Sequence, residues 1–498
     1  MSVLPWVPWL VVSFLSIYLV DLLAHARRRL PPGPIPLPLI GSLHLMGDQP
    51  HRSLARLARI HGPLMSIRLG AVTTVVASSP DAAREILQRH DADLAGRFVN
   101  DAVGDHARNS VAWLPHGPRW RSLRKTMATE LFAPHRLDAL QGLRSDKMRE
   151  LVAHIARLAR DGVVVDVGRV AFTTSLNLLS GTIFSKDLAS LDDHGGSKEF
   201  QALVGEVMKC GGCPNVSDFF PVLARADLQG LRRRLAQLLA RLHQVFDAEV
   251  DQRLRGREVG ETRKDHDDFL DVLLDVAERD GGSKAGLDRD TLRALFTDLF
   301  LAGSDSTSSM VEWAMAELLK NPSSMAKAHK ELAQVISSTR SVEESDINQL
   351  PYLQVVVNET LRLHPPGPLL LPHQAQATVN VAGFTVPQGA CVLVNLWAMG
   401  RDESIWPEPD KFMPQRFLGR AVDFRGGDFE LIPFGAGRRV CPGMPLAIRT
   451  MHLVLATLLN RFEWKIPVEM EMTGIDMSEK FGVSLTKAVP LCAIATMI

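Results

Sequence analysis

The sequence predicts a mainly α fold with a minor β portion, preceded by one N-terminal membrane anchor. Three observations carry this prediction. Amphipathic stretches at residues 133–158 and 228–253, with a helical pattern over residues 291–320, put most of the chain in helices. Short alternating, β-branched pieces lie toward the two ends, "LMSIRLGAVTTVVASS" at 64–79 and "TVNVAGFTVPQGACVLVN" at 378–395, and each reads as a hairpin. Ahead of them, residues 3–20 form a run without charge, about long enough to cross a bilayer as a helix.

Asp21 closes that run and Arg27, Arg28 and Arg29 follow, which by the positive-inside bias leaves the rest of the chain cytosolic. Ala24-His25-Ala26 imitates a signal cleavage site, but a basic region ahead of the run is missing, so residues 1–26 read as an uncleaved anchor. Residues 27–42 are a basic and proline-rich strap whose five prolines forbid a helix and favour an extended, semi-rigid segment. Nothing afterwards reads as a linker, so residues 43–498 form one catalytic domain. The charged or glycine-rich stretches 253–268 and 277–286 read as solvated connections within it.

Composition narrows the function. Lys and Arg number 56 and Asp and Glu number 56, so the formal charge is zero and a nucleic-acid partner has no electrostatic footprint. Five cysteines, an odd number, give no disulfide framework and suit a reducing compartment. Cys210 and Cys213 have CxxC spacing without a second pair, and read as a loop with two free thiols.

The helix over 291–320 carries "LAGSDSTSS" at its centre, where Gly303 and the hydroxyl residues weaken it. Apolar flanks imply burial, so Asp305 beside Ser306 and Thr307 needs either mutual polar partners in a helix kink or a functional purpose. Further on, Glu359 and Arg362 share one helix face in "VVNETLRLHPPGP". Arg416 in "KFMPQRF" could join them in a buried triad that pins a loop.

The stretch "PFGAGRRVCPG" at 433–443 sets a cysteine among glycine turns and arginines. Cys441 opens the helix that follows, where backbone N–H groups and arginines favour a thiolate. Zinc or an iron–sulfur cluster would need further cysteines or histidines nearby. Haem needs one protein ligand, and arginines suit its propionates. A cysteine nucleophile remains the weaker alternative, since no histidine lies close by.

Taken together, FxxGxRxCxG, the Glu-x-x-Arg pair, the PxRF loop, AGxD and "WRSLRK" stand in an order that resembles the cytochrome P450 superfamily along the whole chain. The resemblance implies haem b with Cys441 as the iron ligand, Phe434 packed near the sulfur, and Gly443 in the same loop. It also implies Trp120, Arg124, His373 and Arg439 as propionate contacts, and Glu359, Arg362 and Arg416 as a structural triad. Asp305 and Ser306 would lie over the distal face, with serine where the family usually has threonine and Thr307 one place later. Gln415 stands where the family often has glutamate.

The activity implied is O2-dependent monooxygenation in the endoplasmic reticulum membrane. NADPH-cytochrome P450 reductase would supply electrons, docking on Arg119, Arg121, Lys125 and Arg438. A haem-thiolate isomerase or dehydratase and a non-catalytic haem-binding protein are the rivals from other classes.

"NVSDFFPVLARADLQGLRRR", "PHRLDALQGLR" and "IDMSEKFGVSLTKAVPL" further resemble the plant branch related to geraniol hydroxylases. In the family arrangement one pocket wall would be Val111 and Leu114, and a second would be Phe300, Leu301 and Ala302. Leu369, Leu370 and Leu371 would form a third, and Phe481 and Val483 a fourth. This apolar set favours a terpenoid, a labdane-related diterpene ahead of a monoterpene, with flavonoids or other phenolics as the alternative.

Overall fold

Long apolar-periodic stretches can bury one face only by packing side by side, and helices accordingly make up most of this chain. The structure, a computed structural model, describes residues 6, 9, 12, 13, 16, 18 and 29–498, except 193–195, 260–267, 280–286, 338–339 and 422–423. The anchor expected over residues 1–26 lies largely outside the described residues, as do parts of the connections expected at 253–268 and 277–286. Among the described residues no helix is long and apolar enough to cross a membrane.

The core forms around the helix Arg289–Lys320, packed against Val167–Phe184, Pro351–Leu363 and Met444–Arg461. Asp288 caps its start, accepting from the Thr291 backbone N–H at 2.8 Å, a contact worth about 1 kcal/mol. It ends at Asn321, and Pro322 opens the next helix. Residues 310–318 are all buried, and Met310, Val311, Met315 and Leu318 join one cluster with Leu353, Val356, Leu455 and Leu459. Each such large aliphatic side chain contributes about 1.5–3 kcal/mol. The helix runs unbroken through Gly303. Its hydroxyls are satisfied internally, Ser304 donating to the Phe300 carbonyl at 2.5 Å, Ser306 to Ala302 at 2.6 Å and Ser308 to Asp305 at 3.1 Å.

Other boundaries shift. The stretch 133–158 divides into Pro134–Ala139 and Gln141–Arg160, and 228–253 becomes Leu231–Val259. The latter runs into the stretch expected to be a solvated connection, because its arginines find buried partners. Arg253 pairs with Asp268 at 2.8 Å and Asp271 at 2.6 Å, and Arg257 reaches Asp271 at 2.8 Å. Cys210 lies in the helix Gly196–Gly211 instead of a loop, and all five cysteines are free.

Leu64–Leu69 and Val72–Ala77 form the antiparallel hairpin expected at 64–79. The second stretch is a hairpin only in its first half, Val379–Val381 with Phe384–Val386. Cys391–Val394 leaves it to lie parallel to Val72–Ala77, and His373–Gln374 and Gly96–Arg97 complete a five-stranded sheet. The strap lies along this sheet's edge. The Ser66 hydroxyl and N–H donate to the carbonyls of Pro31 and Pro32 at 2.6 and 2.8 Å, and Gly41 bridges Leu37 and Leu69.

Near the C-terminus, Glu479–Lys480 pairs with Thr486–Lys487, so residues 481–485 form a projecting turn. Buried Glu479 fixes its base, accepting from Arg52 at 2.6 Å and from the Trp397 indole at 3.1 Å. Burial alone would raise this carboxyl, but the approach of His364, the hydrogen bonds with His51 and Arg52 and the charge of Arg401 hold it far below its ordinary range.

Candidate active site

Local backbone geometry explains the glycines around Cys441. Gly435 and Gly437 have φ of 70° and 67°, and a Cβ on Gly437 would lie 1.9 Å from the Leu87 carbonyl oxygen. The loop closes when the Cys441 N–H donates to the Phe434 carbonyl at 2.9 Å. Cys441 precedes the helix Met444–Arg461 instead of opening it, with Gly443 at the N-cap. The thiolate expected from the arginines is not what the protein alone favours. Burial pushes the thiol pKa up, only partly offset by the N–H groups of Gly443 and Met444 and by Arg124. A bound metal ion would displace that proton.

Cys441 lines a cavity of about 440 Å³, together with Phe434, Gly435 and Gly443. One rim is basic. Arg97 donates to the carbonyls of Ala112 and Leu371 at 3.1 and 2.8 Å, Arg124 to Val440 at 2.8 Å, and Arg439 to Ala95 and Leu114 at 2.8 and 2.6 Å. Among the described residues their hydrogen-bond partners are backbone carbonyls, and none is a carboxylate. Burial and the charges of Arg439 and Arg124 lower Arg97 to about 9, and burial with Arg124 lowers Arg439 to about 10. His373, against the Leu94 carbonyl at 2.8 Å, is pushed down to about 3 by burial and Arg97. Trp120 also lines the cavity, but its indole N–H donates to the Val111 carbonyl at 3.2 Å and its ring lies 4.5 Å from the Arg439 guanidinium carbon.

Three half-buried guanidiniums, each with donors left over, call for an anion of more than one charge. Beside Gly435, a Cβ would meet nothing nearer than Leu370 at 3.7 Å, so a flat group can approach the backbone there. A dicarboxylate porphyrin whose metal takes a sulfur ligand fits this donor set.

Away from the cavity, Glu359, Arg362 and Arg416 come together. Glu359 accepts from Arg362 Nε and Nη2, both at 2.8 Å, from Arg416 Nε at 3.0 Å and from the Met413 N–H at 2.7 Å. Arg362 also holds the carbonyls of Gly400, Pro409 and Lys411. Gln415 lies outside this network.

On the helix Arg289–Lys320, Leu301, Ala302, Gly303, Ser306 and Thr307 line the cavity. Asp305 does not, because one helical step turns it toward the C-terminal turn. Burial raises its carboxyl pKa, and a hydrogen bond with Ser484 and the charge of Lys480 act against that. Phe300 faces the opposite side, packed among Phe184, Phe200 and Phe246. Val111, Leu370, Leu371 and Val483 are at the cavity, whereas Leu114, Leu369 and Phe481 are not. Phe481 stacks on His51, 5.5 Å between centroids, and Leu369 joins the cluster behind the sheet.

Sequence reasoning missed Arg97, whose only local signal is one arginine at a strand edge. It also missed Asp298 and His106. Asp298 is the sole carboxylate among the described residues lining the cavity. Of the surface basic residues, Arg438 pairs with Asp91, while Arg119 donates to Asn109 at 2.6 Å and Thr291 at 2.9 Å.

The family described as Cytochrome P450 matches residues 31–490. Geraniol 8-hydroxylase of Catharanthus roseus is 50% identical over 481 residues, covering 96% of each chain. Its namesake in Swertia mussotii is 48% identical over 480 residues, covering 96% of this chain and 95% of that one. The 7-ethoxycoumarin O-deethylase of Helianthus tuberosus is 44% identical over 487 residues, 97% of each.

Proposed function

The chain belongs to the cytochrome P450 family and is a haem-binding monooxygenase, and on that premise we propose that it hydroxylates a terpenoid, most directly a monoterpene alcohol. One oxygen atom of O2 enters a C–H bond of the substrate and the other leaves as water, with two electrons drawn from NADPH. The observation that carries the reading is the cavity joining Cys441 to Ser306 and to apolar walls, in a chain half identical to a geraniol 8-hydroxylase.

Cys441 would hold the iron, and Arg97, Arg124, Arg439 and His373 would take the propionates. Bound there, haem supplies O2 activation, which a thiolate ligand promotes. Ser306 has its proton engaged on the Ala302 carbonyl, so its oxygen lone pairs face the cavity as acceptors for a water. Thr307, one position on, offers a second hydroxyl. Asp305, raised by burial and tied to Ser484, would hold a proton at the edge of this set and pass it inward through water. Glu359, Arg362 and Arg416 would keep the loop over residues 400–417 docked and the haem retained.

Walls without polar groups would favour a polycyclic diterpene. Asp298, His106, Ser175 and Thr182 also line the cavity, so a substrate carrying a hydroxyl ranks ahead of a pure hydrocarbon. A coumarin-dealkylating relative and these same polar groups favour phenolic substrates as the second reading. The uncharged run at 3–20 and the arginines after it support a single-pass anchor in the endoplasmic reticulum membrane, with the catalytic domain cytosolic and NADPH-cytochrome P450 reductase as electron donor.

The test is reconstitution with such a reductase in lipid. Geraniol should raise NADPH-dependent oxygen consumption and yield a mono-oxygenated product. Turnover of flavanones with every monoterpene and diterpene untouched would overturn the terpenoid reading.

A further inference from the structure

Where residues 103–112 meet the helix Arg289–Lys320, two polar side chains line the cavity. Asp298 accepts from the Ser110 hydroxyl at 2.8 and 2.9 Å and from the Ala112 N–H at 3.3 Å. Its third neighbour is His106, whose Nε2 lies 3.4 Å from Oδ1. Both residues line the cavity, and only 7% of the His106 side chain and 13% of the Asp298 side chain are exposed. Leu235, Leu239 and Leu299 also line the cavity, and the His243 ring stands 6.4 Å from that of His106.

His106 Nδ1 is buried and has no hydrogen-bond partner among the described residues. A buried nitrogen left in that state costs free energy, and a ligand group that satisfies it recovers the loss. The contact with Asp298 sets its chemistry. Nε2 carries the hydrogen and donates to the carboxylate, which leaves Nδ1 as a lone-pair acceptor. The pair therefore presents an imidazole acceptor backed by a carboxylate. Such a site rewards a hydroxyl donor and gives a hydrocarbon nothing.

Its position adds a constraint. Asp298 and Ser306 lie eight residues apart on one unbroken helix, about 12 Å along its axis at 1.5 Å per residue. A hydroxyl held at His106 thus keeps its own carbon far from Ser306. The opposite end of an extended ten-carbon chain, roughly 9–10 Å away at standard bond lengths, lies nearest to it.

Resting on the terpenoid reading above, we propose that His106 and Asp298 anchor the hydroxyl of an acyclic terpenoid alcohol and direct oxidation to the far end of its chain. His106 is the contact and Asp298 the positioning residue that fixes its tautomer. Leu235 and Leu239 flank the intervening chain.

The experiment titrates the holoenzyme with geraniol and with its deoxygenated analogue, a methyl in place of the hydroxymethyl, and follows the substrate-induced shift of the haem band. Wild type should bind geraniol roughly tenfold or more tighter than the analogue, as expected for one hydrogen bond to a buried acceptor. His106→Phe should remove that preference by weakening geraniol alone, and should scatter the position of oxidation. His106→Gln, which keeps an acceptor, should restore part of it. Asp298→Asn, the same in shape, provides an independent variant and should show the same selective loss. The carbon monoxide band of each variant reports an intact haem site.

Equal weakening of both ligands would mean that the pair only pins residues 103–112, and would overturn the proposal. Oxidation of both ligands by wild type without discrimination would overturn the anchor and leave the terpenoid reading standing. Oxidation of neither would overturn both.

Discussion

Replacing Glu359 with glutamine tests how the loop over residues 400–417 is held. The substitution keeps volume, so no cavity term enters, but it removes the charge opposite two guanidiniums. Arg362 is 1% exposed, and its bonds to Glu359 are joined by donations to the carbonyls of Gly400, Pro409 and Lys411. A glutamine amide would also set N–H groups against N–H donors. Leaving one partner of a buried ion pair uncompensated costs about 3–5 kcal/mol. Because Glu359 also accepts from the Met413 N–H and from Arg416, the loss falls on residues 400–417. At about 1.4 kcal/mol per decade, local opening there should become roughly a hundredfold to a few thousandfold more frequent. Hydrogen exchange on peptides spanning 400–417 reads this directly, with haem content per chain as a second readout that should fall in parallel. Arg416, less deeply placed at 8% side-chain exposure, should give a smaller increase as Arg416→Gln. Unchanged exchange in Glu359→Gln, with full haem occupancy, would refute the reasoning that this charge holds the loop.

Three further outcomes follow from the geometry. Arg97→Leu should lower the haem-to-protein ratio after reconstitution, and Arg97→Lys should recover part of it, because the cationic rim would lose its most buried member; equal occupancy in all three would remove Arg97 from the rim. Ser306→Ala should raise peroxide released per NADPH oxidised and Ser306→Thr should not, whereas unchanged coupling in the alanine variant would shift the role to Thr307. Asp218 has its pKa raised to about 6 by burial and the neighbouring charge of Asp101. The folded state therefore binds the extra proton between about 4 and 6, and this group's contribution falls as pH rises through that window. Asp218→Asn should flatten that part of the stability profile in thermal unfolding, and an unaltered slope would exclude Asp218 as its source.

Much of this protein is local in its causes and so could be read from the chain. The central helix has its capping aspartate one residue ahead of it and a proline just after it. The hairpin at 64–79 follows from period-two alternation. Gly437 and Cys441 lie in one short loop whose turns only glycine tolerates, and Glu359 and Arg362 are one helical turn apart. These signals act over a few residues, and a sequence displays them directly.

The cavity's lining was decided by the tertiary structure. A side chain's direction rotates by about 100° per residue along a helix, so Phe300 and Asp305 turn away while Leu299 and Ser306 face inward, a difference that the apolar and polar pattern of "LFLAGSDS" does not record. Arg97 comes to Arg439 and Arg124 only because Gly96–Arg97 pairs with His373–Gln374, nearly three hundred residues away in the chain. Desolvation is likewise a property of the assembled surroundings. It raises the Cys441 thiol where neighbouring arginines alone suggest the reverse, and it leaves His106 beside Asp298 with an unpartnered nitrogen that no motif announces. Sequence determined the family, the turns of the loop before Cys441 and the Glu359–Arg362 spacing, because short-range geometry sets them, whereas Arg416 reaches Glu359 only across 57 residues of folded chain. Which side chains meet the substrate depended on packing between distant segments, where a single helical step or strand register changes what faces the cavity.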